Sequence, residues 1–71
     1  SGLERIFTAL IAEGQAAGRF RQDMSAAALA VYLEFLYLAA LLRWLTDAAS
    51  DLPQEFTQML SLFLGGLEVR T

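Results

Sequence analysis

The sequence contains no cysteine, no histidine and no lysine. Without cysteine no disulfide can form, and nothing points to secretion. Without histidine the chain lacks the usual zinc ligand and the usual general base, and without lysine it lacks Schiff-base chemistry. Ser25, Ser50 and Ser61 have no base to activate them, and helix capping is the favoured role for an isolated serine near a helix start. The composition argues against an enzyme, and no metal or cofactor is expected.

Positive charge is also scarce. The chain carries five basic and eight acidic residues, for a formal net charge of −3, and only Arg19 and Arg21 form a close basic pair. A segment that binds nucleic acid needs a clustered basic face, so this segment is not expected to bind DNA itself. Residues 1–5 read as the start of an amphipathic helix, so no signal peptide is expected there. The expected location is the cytoplasm.

Apolar side chains are present in excess. Hydrophobic residues make up 56% of the 71 residues, and the mean hydropathy is +0.46. A chain of this length forms at most one small domain, with a marginal core and a large surface for its volume. It cannot hide so much apolar surface inside itself. Either a partner or a membrane is therefore expected to cover part of the chain.

The first segment predicts an ordinary amphipathic helix. Apolar residues recur at the spacing i, i+3, i+4, i+7, i+8, as Leu3, Ile6, Phe7, Leu10 and Ile11. This pattern predicts a one-faced helix from about residue 3 to residue 17. Gly18 is expected to end the helix in the left-handed conformation, because glycine lacks the Cβ that makes this conformation costly. Phe20 is then expected to fold back on the last turn.

The second helix is predicted from Ala26 to about Asp47, with Ser25 as its N-cap and Asp23 as the competing cap. Its apolar residues fall on two opposite sides of a helical wheel. One side carries Ala30, Leu33, Tyr37, Ala40, Leu41 and Trp44. The other side carries Ala28, Tyr32, Phe35, Ala39, Leu42 and Thr46. Two apolar sides predict two packing surfaces, one for this chain and one for a partner.

A third helix is predicted after a loop over residues 48–53, with Asp51 as N-cap and Pro53 in the first turn, and it is expected to end near Val69. One side carries an apolar stripe, Phe56, Met59, Leu60, Phe63 and Leu67. Another side carries small residues, Thr57, Ser61 and Gly65. The pair Gly65–Gly66 either lets another backbone approach closely or frays the end of the helix. Because no strand pattern occurs, the predicted fold class is all-α.

The second helix is also long enough to span a bilayer. Glu34 would then lie near the bilayer centre with Arg43 too distant to pair, at a cost of about 2.5–3.5 kcal/mol. The flanks carry neither a basic cluster nor an aromatic belt at both ends. We therefore favour a buried interface, in which three antiparallel helices contribute their last two to a four-helix bundle with a two-fold-related copy.

Three stretches carry a family resemblance: EGQAAGRFRQDMS, a long apolar helix ending in RWLTD, and LPQEFTQMLSLFLGGL. Together they resemble the C-terminal part of a TetR-family transcriptional regulator, over about residues 3–70. The family's turn is matched by Glu13, Gly14, Gln15, Gly18, Arg19, Phe20, Arg21 and Asp23. Trp44-Leu45 with Asp47 matches a frequent ending of the next helix. The family often has a proline after the arginine of the turn, where this chain has Gln22. It often has a small polar residue followed by glycine in the middle of the next helix, where this chain has Leu38 and Ala39.

The resemblance implies that residues 1–71 are the C-terminal helical part of a one-component repressor. A helix-turn-helix in a separate N-terminal domain, absent from this chain, would bind operator DNA. The present domain would hold a small effector and form a homodimer through its last two helices, and effector binding would release the operator. The expected dimer contacts are Tyr32, Phe35, Ala39, Leu42, Thr46, Gln58, Ser61, Leu62 and Gly65.

The expected candidates for the effector pocket are Phe7, Leu10, Ile11, Leu33, Glu34, Tyr37, Leu41 and Trp44. Plain core packing is the competing interpretation for each of them. Glu34 stands out because a carboxylate within an apolar helix suits a cationic or hydrogen-bonding effector, although a solvated flank or a partner arginine also explains it. Two other hypotheses stay open for the whole chain: a helical dimerisation module without an effector, and a small membrane-associated helical protein.

Overall fold

The computed structural model describes residues 1–69 of the chain. These residues form three α-helices and no β-strand: α1 (Gly2–Ala16), α2 (Ala26–Thr46) and α3 (Leu52–Leu67). The predicted all-α class is confirmed. The expected end of the domain at residue 71 lies outside the described residues.

The helix starts agree with the predicted caps. The Ser25 side chain accepts a hydrogen bond from the Ala28 backbone N–H at 3.1 Å at the start of α2. The Asp51 side chain accepts one from the Gln54 N–H at 3.3 Å at the start of α3, where Pro53 occupies the first turn. Each cap satisfies a backbone donor that has no partner inside the helix.

The end of α1 also follows the prediction. The helix ends at Ala16, one residue before the expected position, and Gly18 adopts the left-handed conformation with φ +75°. Phe20 folds back so closely on the last turn of α1 that a Cβ built on Gly14 would overlap its ring. Glycine at position 14 therefore makes room for Phe20, a role that the sequence pattern did not reveal.

The third helix ends at Leu67, two residues earlier than predicted. An isolated antiparallel bridge pairs Phe20 with Glu68. In this bridge the Arg21 N–H donates to the Leu67 carbonyl at 2.8 Å, and the Val69 N–H donates to the Arg19 carbonyl at 3.0 Å. The helix ends here because the backbone of residues 67–69 pairs with residues 19–21 of the turn before α2. This pairing links the end of α3 to that turn.

The core is small and centred on α2, against which α1 and α3 both pack. Its main cluster consists of Ile11, Leu29, Ala30, Leu33 and Leu67. Ala40 is also buried, so three members of the predicted inner side of α2 lie where the wheel placed them. Leu29, which the wheel assigned to neither side, is buried too. Trp44 was expected on the inner side but is 43% exposed, because the last turn of α2 is exposed all round.

The molecule is flat. Its principal extents are 40 × 30 × 15 Å, and its radius of gyration is 13.1 Å, against about 11 Å for a compact domain of this length. Its accessible surface is 5009 Å², whereas a compact monomer of 7.8 kDa exposes about 4,400 Å². A molecule of this thickness leaves many large apolar side chains of its helices exposed.

Candidate functional site

Six of the exposed large apolar side chains of α2 and α3 define a surface that is here called the outer face. It consists of five residues of α2 and one residue of α3, namely Tyr32, Phe35, Leu38, Leu42, Leu45 and Leu62. Each of them is between 49% and 72% exposed. The steps of three and four along α2 align its five members on one side of that helix. An exposed row of large apolar side chains along one side of a helix is typical of a surface that another molecule covers.

All nine predicted dimer contacts are exposed in the structure. They are Tyr32, Phe35, Ala39, Leu42 and Thr46 on α2, and Gln58, Ser61, Leu62 and Gly65 on α3. The wheel missed Leu38 and Leu45, although both continue the spacing of three residues from Phe35 and Leu42. Their exposure shows that the apolar outer face is broader than the sequence interpretation assumed.

A groove of about 230 Å³ runs between α2 and α3 beside the outer face. It is lined by Leu36, Ala39, Ala40, Arg43, Glu55, Gln58, Met59 and Leu62. The Arg43 guanidinium forms an ion pair with Glu55, which links the two helices at this groove. The Glu55 side chain is only 13% exposed, whereas that of Arg43 is 64% exposed. The ion pair therefore gives the largely covered Glu55 carboxylate a partner of opposite charge.

Gly65 and Gly66 both lie within α3, which ends one residue later at Leu67. Within this chain no heavy atom comes within 4 Å of a Cβ built on either glycine. The close backbone approach considered for the pair is therefore not made by residues 1–69 themselves. The bare backbone at Gly65 remains accessible to another molecule.

The second site is an apolar cleft between α1 and α3, here called the α1–α3 cleft. Its volume is about 320 Å³, and Leu33 of α2 contributes to its lining. The lining residues are Phe7, Leu10, Ile11, Phe20, Leu33, Leu60, Phe63, Leu64 and Leu67. All nine are aliphatic or aromatic, so no side chain in this lining carries a charge or a hydrogen-bonding group.

The predicted pocket residues divide into two groups. Four of them line the α1–α3 cleft, namely Phe7, Leu10, Ile11 and Leu33. The other four, Glu34, Tyr37, Leu41 and Trp44, do not line it. Tyr37 instead stacks on Phe56 with a distance of 5.3 Å between ring centroids. The Glu34 carboxylate accepts a hydrogen bond from the Ser1 hydroxyl at 2.9 Å.

Sequence reasoning missed five lining residues of the cleft: Phe20, Leu60, Phe63, Leu64 and Leu67. Three of them, Leu60, Phe63 and Leu67, had been recognised as the apolar stripe of the third helix. That stripe was a usable signal, since it showed that α3 has a side that must face apolar neighbours. What the pattern did not show is that α1 and α3 leave a space between them.

The turn between α1 and α2 is held by its own side chains. The Gln15 amide donates to the carbonyls of Arg21 at 3.0 Å and Met24 at 2.9 Å, and the Gln22 amide donates to the Gln15 carbonyl at 2.7 Å. The Arg21 guanidinium donates two hydrogen bonds to the Asp23 carboxylate, of 2.6 and 2.5 Å. The hydrogen bonds from Arg21 lower the pKa of Asp23, although both groups are open to solvent.

The described residues contain no cluster of metal-ligating side chains, but they do contain one candidate membrane span. No group of three or more acidic, histidine or cysteine side chains in residues 1–69 is placed to hold a metal ion. One helix, Ala26–Thr46, is long and apolar enough to cross a membrane by length and composition, with a mean hydropathy of 1.7. Only 22% of its most apolar window is buried inside this chain.

Comparisons with protein-family models, with curated proteins and with solved structures find no match to this chain. The geometry of the outer face and of the α1–α3 cleft therefore carries the functional argument.

Proposed function

We propose that this chain is the ligand-sensing and homodimerisation part of a TetR-type transcriptional repressor of the cytoplasm. In this proposal a separate N-terminal domain binds operator DNA, and binding of a small effector to the present domain releases the operator. The chain itself carries no catalytic activity and binds neither DNA nor a membrane. The apolar outer face supports the dimer, and the α1–α3 cleft supports the sensor.

The observation that carries the proposal is the exposure of the outer face. Phe35 is 64% exposed, Leu42 is 62% exposed and Leu62 is 72% exposed. Burying a large apolar side chain stabilises a protein by about 1.5–3 kcal/mol, so six such residues left in water favour association strongly. A second copy of this chain offers the same apolar surface, and a two-fold axis brings the two together.

The small residues among the predicted contacts suit a four-helix bundle. In the proposed dimer α2 and α3 of each copy form two of the four helices, with the nine predicted contacts between them. Ala39 and Gly65 lie among these contacts and are both exposed. Small residues at such positions let two helix backbones come close. A stable interface buries about 800 Å² on each partner, which is about a sixth of the 5009 Å² that this chain exposes.

The sensor part of the proposal is supported by the α1–α3 cleft, which Leu33 joins to the dimerising helix α2. Phe20, from the turn that resembles the family, also lines this cleft. The same turn is bonded to the end of α3 through the Leu67 carbonyl. A ligand bound against Phe20 would therefore act on a backbone segment that is tied to both dimerising helices.

A membrane-associated protein is the second candidate, favoured by the length and hydropathy of α2. A membrane span would have to place Glu34 and Arg43 in hydrocarbon, at a cost of several kcal/mol. In the structure Arg43 is instead paired with Glu55 of α3. In the dimer hypothesis Glu34 keeps its hydrogen bond from Ser1 and Arg43 keeps its ion pair with Glu55, while the same apolar residues are covered, so we prefer it.

The test compares two alanine-to-glutamate variants by sedimentation velocity in detergent-free buffer. Ala39→Glu places a carboxylate at a predicted dimer contact, and it is expected to weaken dimerisation at least tenfold, giving monomers or aggregates, because the carboxylate would lose its water in the interface while Arg43, one turn away, is already paired with Glu55. Ala9→Glu makes the same change at an exposed position of α1 and is the matched control. It is expected to leave the dimer unchanged.

An unchanged dimer for Ala39→Glu would show that the outer face is not the interface. Material that stays in solution only in detergent would favour the membrane candidate. A helical dimerisation module without an effector predicts the same sedimentation result as the sensor, so the ligand experiment below is needed to separate these two.

A further inference from the structure

We infer that the α1–α3 cleft binds a compact, uncharged, apolar small molecule that contains an aromatic ring. This inference names the ligand class of the sensor proposed above and rests on that proposal for its biological role. It differs from the expectation based on Glu34, which favoured a cationic or hydrogen-bonding effector.

The lining determines the charge of the ligand. Its nine side chains are all phenylalanine, leucine or isoleucine. The backbone of the two helical walls is bonded within α1 and α3, so it offers no free donor to a ligand. A charged or strongly hydrogen-bonding group placed there would lose its water without gaining a partner, at a cost of several kcal/mol. An uncharged apolar molecule avoids this cost.

The size and the aromatic content of the cleft determine the shape of the ligand. Its volume of about 320 Å³ is at the lower end of the range for small-molecule pockets, about 300–1,000 Å³. Three phenylalanines contribute to its lining, Phe7, Phe20 and Phe63. Aromatic side chains pack favourably against a ligand ring in stacked or edge-on geometry. A small ring compound therefore fits better than a long or branched polar one.

The cleft is largely formed before a ligand arrives. Its deepest residues, Ile11, Leu33 and Leu67, are at most 7% exposed and belong to the core. Phe20 is held in place by its contact with Gly14 and by the bridge to Glu68. A preformed apolar space needs little ordering on binding, so the free energy of ligand contact is retained as affinity.

Glu34 lies outside this space. It does not line the cleft, and its carboxylate is bonded to the Ser1 hydroxyl. The groove between α2 and α3, which does contain charged residues, borders the outer face that we assign to the partner chain. None of the nine lining residues of the α1–α3 cleft is among the predicted dimer contacts, so the proposed dimer uses other residues.

The experiment uses two fluorescent probes that share one ring system. N-phenyl-1-naphthylamine is neutral, and 8-anilinonaphthalene-1-sulfonate carries a negative charge. The neutral probe is expected to bind the whole chain at least tenfold more tightly than the sulfonate, because the sulfonate would lie against an apolar lining. Equal or tighter binding of the sulfonate would overturn the assignment of an uncharged ligand.

Variants locate the bound probe. Leu10→Glu places a charge at the partly exposed rim of the cleft and is expected to weaken binding of the neutral probe at least tenfold. Ile6→Glu is the matched control, since Ile6 is 58% exposed and Leu10 is 56% exposed on the same helix, but Ile6 does not line the cleft. It should change binding less than twofold. Equal effects of the two variants would overturn the inference.

Leu64→Glu provides an independent test from the α3 wall, should Leu10→Glu fail to fold by circular dichroism. It is also expected to weaken probe binding at least tenfold. Thr57→Glu is the control on the same helix, because Thr57 is exposed and lies outside both the cleft lining and the predicted dimer contacts, and it should leave probe binding within twofold. Full binding in Leu64→Glu, or an equal loss in Leu64→Glu and Thr57→Glu, would refute the inference.

The failure of this inference can be told apart from the failure of the dimer. The same samples are examined by sedimentation velocity. A dimer whose cleft does not bind the neutral probe would contradict the ligand assignment but not the dimer proposal. A monomer that binds the probe in a manner sensitive to Leu10→Glu would support the cleft and contradict the dimer.

Discussion

At the residue scale, the contact between Gly14 and Phe20 fixes the turn that precedes α2. Phe20 packs over Gly14, lines the α1–α3 cleft and pairs with Glu68 after α3. One aromatic residue thus connects the end of α1, the candidate ligand site and the end of α3. The absence of a side chain at position 14 is what permits this arrangement.

Replacing Gly14 by alanine is expected to lower the free energy of unfolding by up to about 2 kcal/mol. The added methyl group would overlap the Phe20 ring, and overpacking of this kind costs about 1–3 kcal/mol. This cost exceeds the gain of about 1 kcal/mol in helix propensity when glycine becomes alanine. Urea unfolding of Gly14→Ala and the wild type measures the difference.

Gly66→Ala is the matched control, because a Cβ at position 66 meets nothing within 4 Å in this chain. Only the helix-propensity gain remains there, so this variant is expected to be as stable as the wild type or more stable, by up to about 1 kcal/mol. Equal stability changes in the two variants would show that Phe20 does not depend on the space at Gly14.

Single residues with local roles could be read from the sequence. The caps Ser25 and Asp51 and the left-handed Gly18 depend only on neighbours within a few positions, so their residue types predicted them correctly. Partners that are distant in sequence could not be predicted in this way. The ion pair of Arg43 with Glu55 depends on how α2 meets α3, which no local pattern records.

At the element scale, α2 shows both the strength and the limit of a helical wheel. The wheel separated an inner side, where Leu33 and Ala40 are buried, from an outer side, where Tyr32 and Phe35 are exposed. It could not indicate where neighbouring helices stop covering the inner side, so Trp44 was misplaced. A wheel gives the direction of each side chain but not the extent of the contact.

The ion pair between α2 and α3 is expected to have an asymmetric effect on stability. Arg43→Met keeps an apolar side chain of similar length but leaves the largely covered Glu55 carboxylate without its partner. Loss of the partner of a covered acceptor costs about 1–3 kcal/mol. We therefore expect Arg43→Met to lower the free energy of unfolding by about that amount, measured by urea unfolding near neutral pH.

Glu55→Gln is the comparison for this prediction. It removes the negative charge and leaves Arg43, which is 64% exposed, free to be hydrated, so its cost should stay below about 1 kcal/mol, as for an exposed pair. A smaller loss in Arg43→Met than in Glu55→Gln would contradict the view that the ion pair serves mainly to neutralise Glu55.

At the scale of the whole molecule, the composition predicted that the chain has more apolar surface than it can bury by itself. The structure agrees with this prediction, since the chain is a slab 15 Å thick with apolar residues on the surface. The all-α class also followed from the pattern. The α1–α3 cleft could not be predicted, because it depends on the divergence of two helices that both pack on α2, and a sequence without contact information does not specify that angle.

Sedimentation equilibrium of the wild type in detergent-free buffer shows whether the outer face joins two copies of this chain. The chain has a mass of 7.8 kDa. A homodimer gives a single species of twice that mass at micromolar concentration, and this is the result we expect. A soluble, well-folded species of 7.8 kDa across the same range would contradict it.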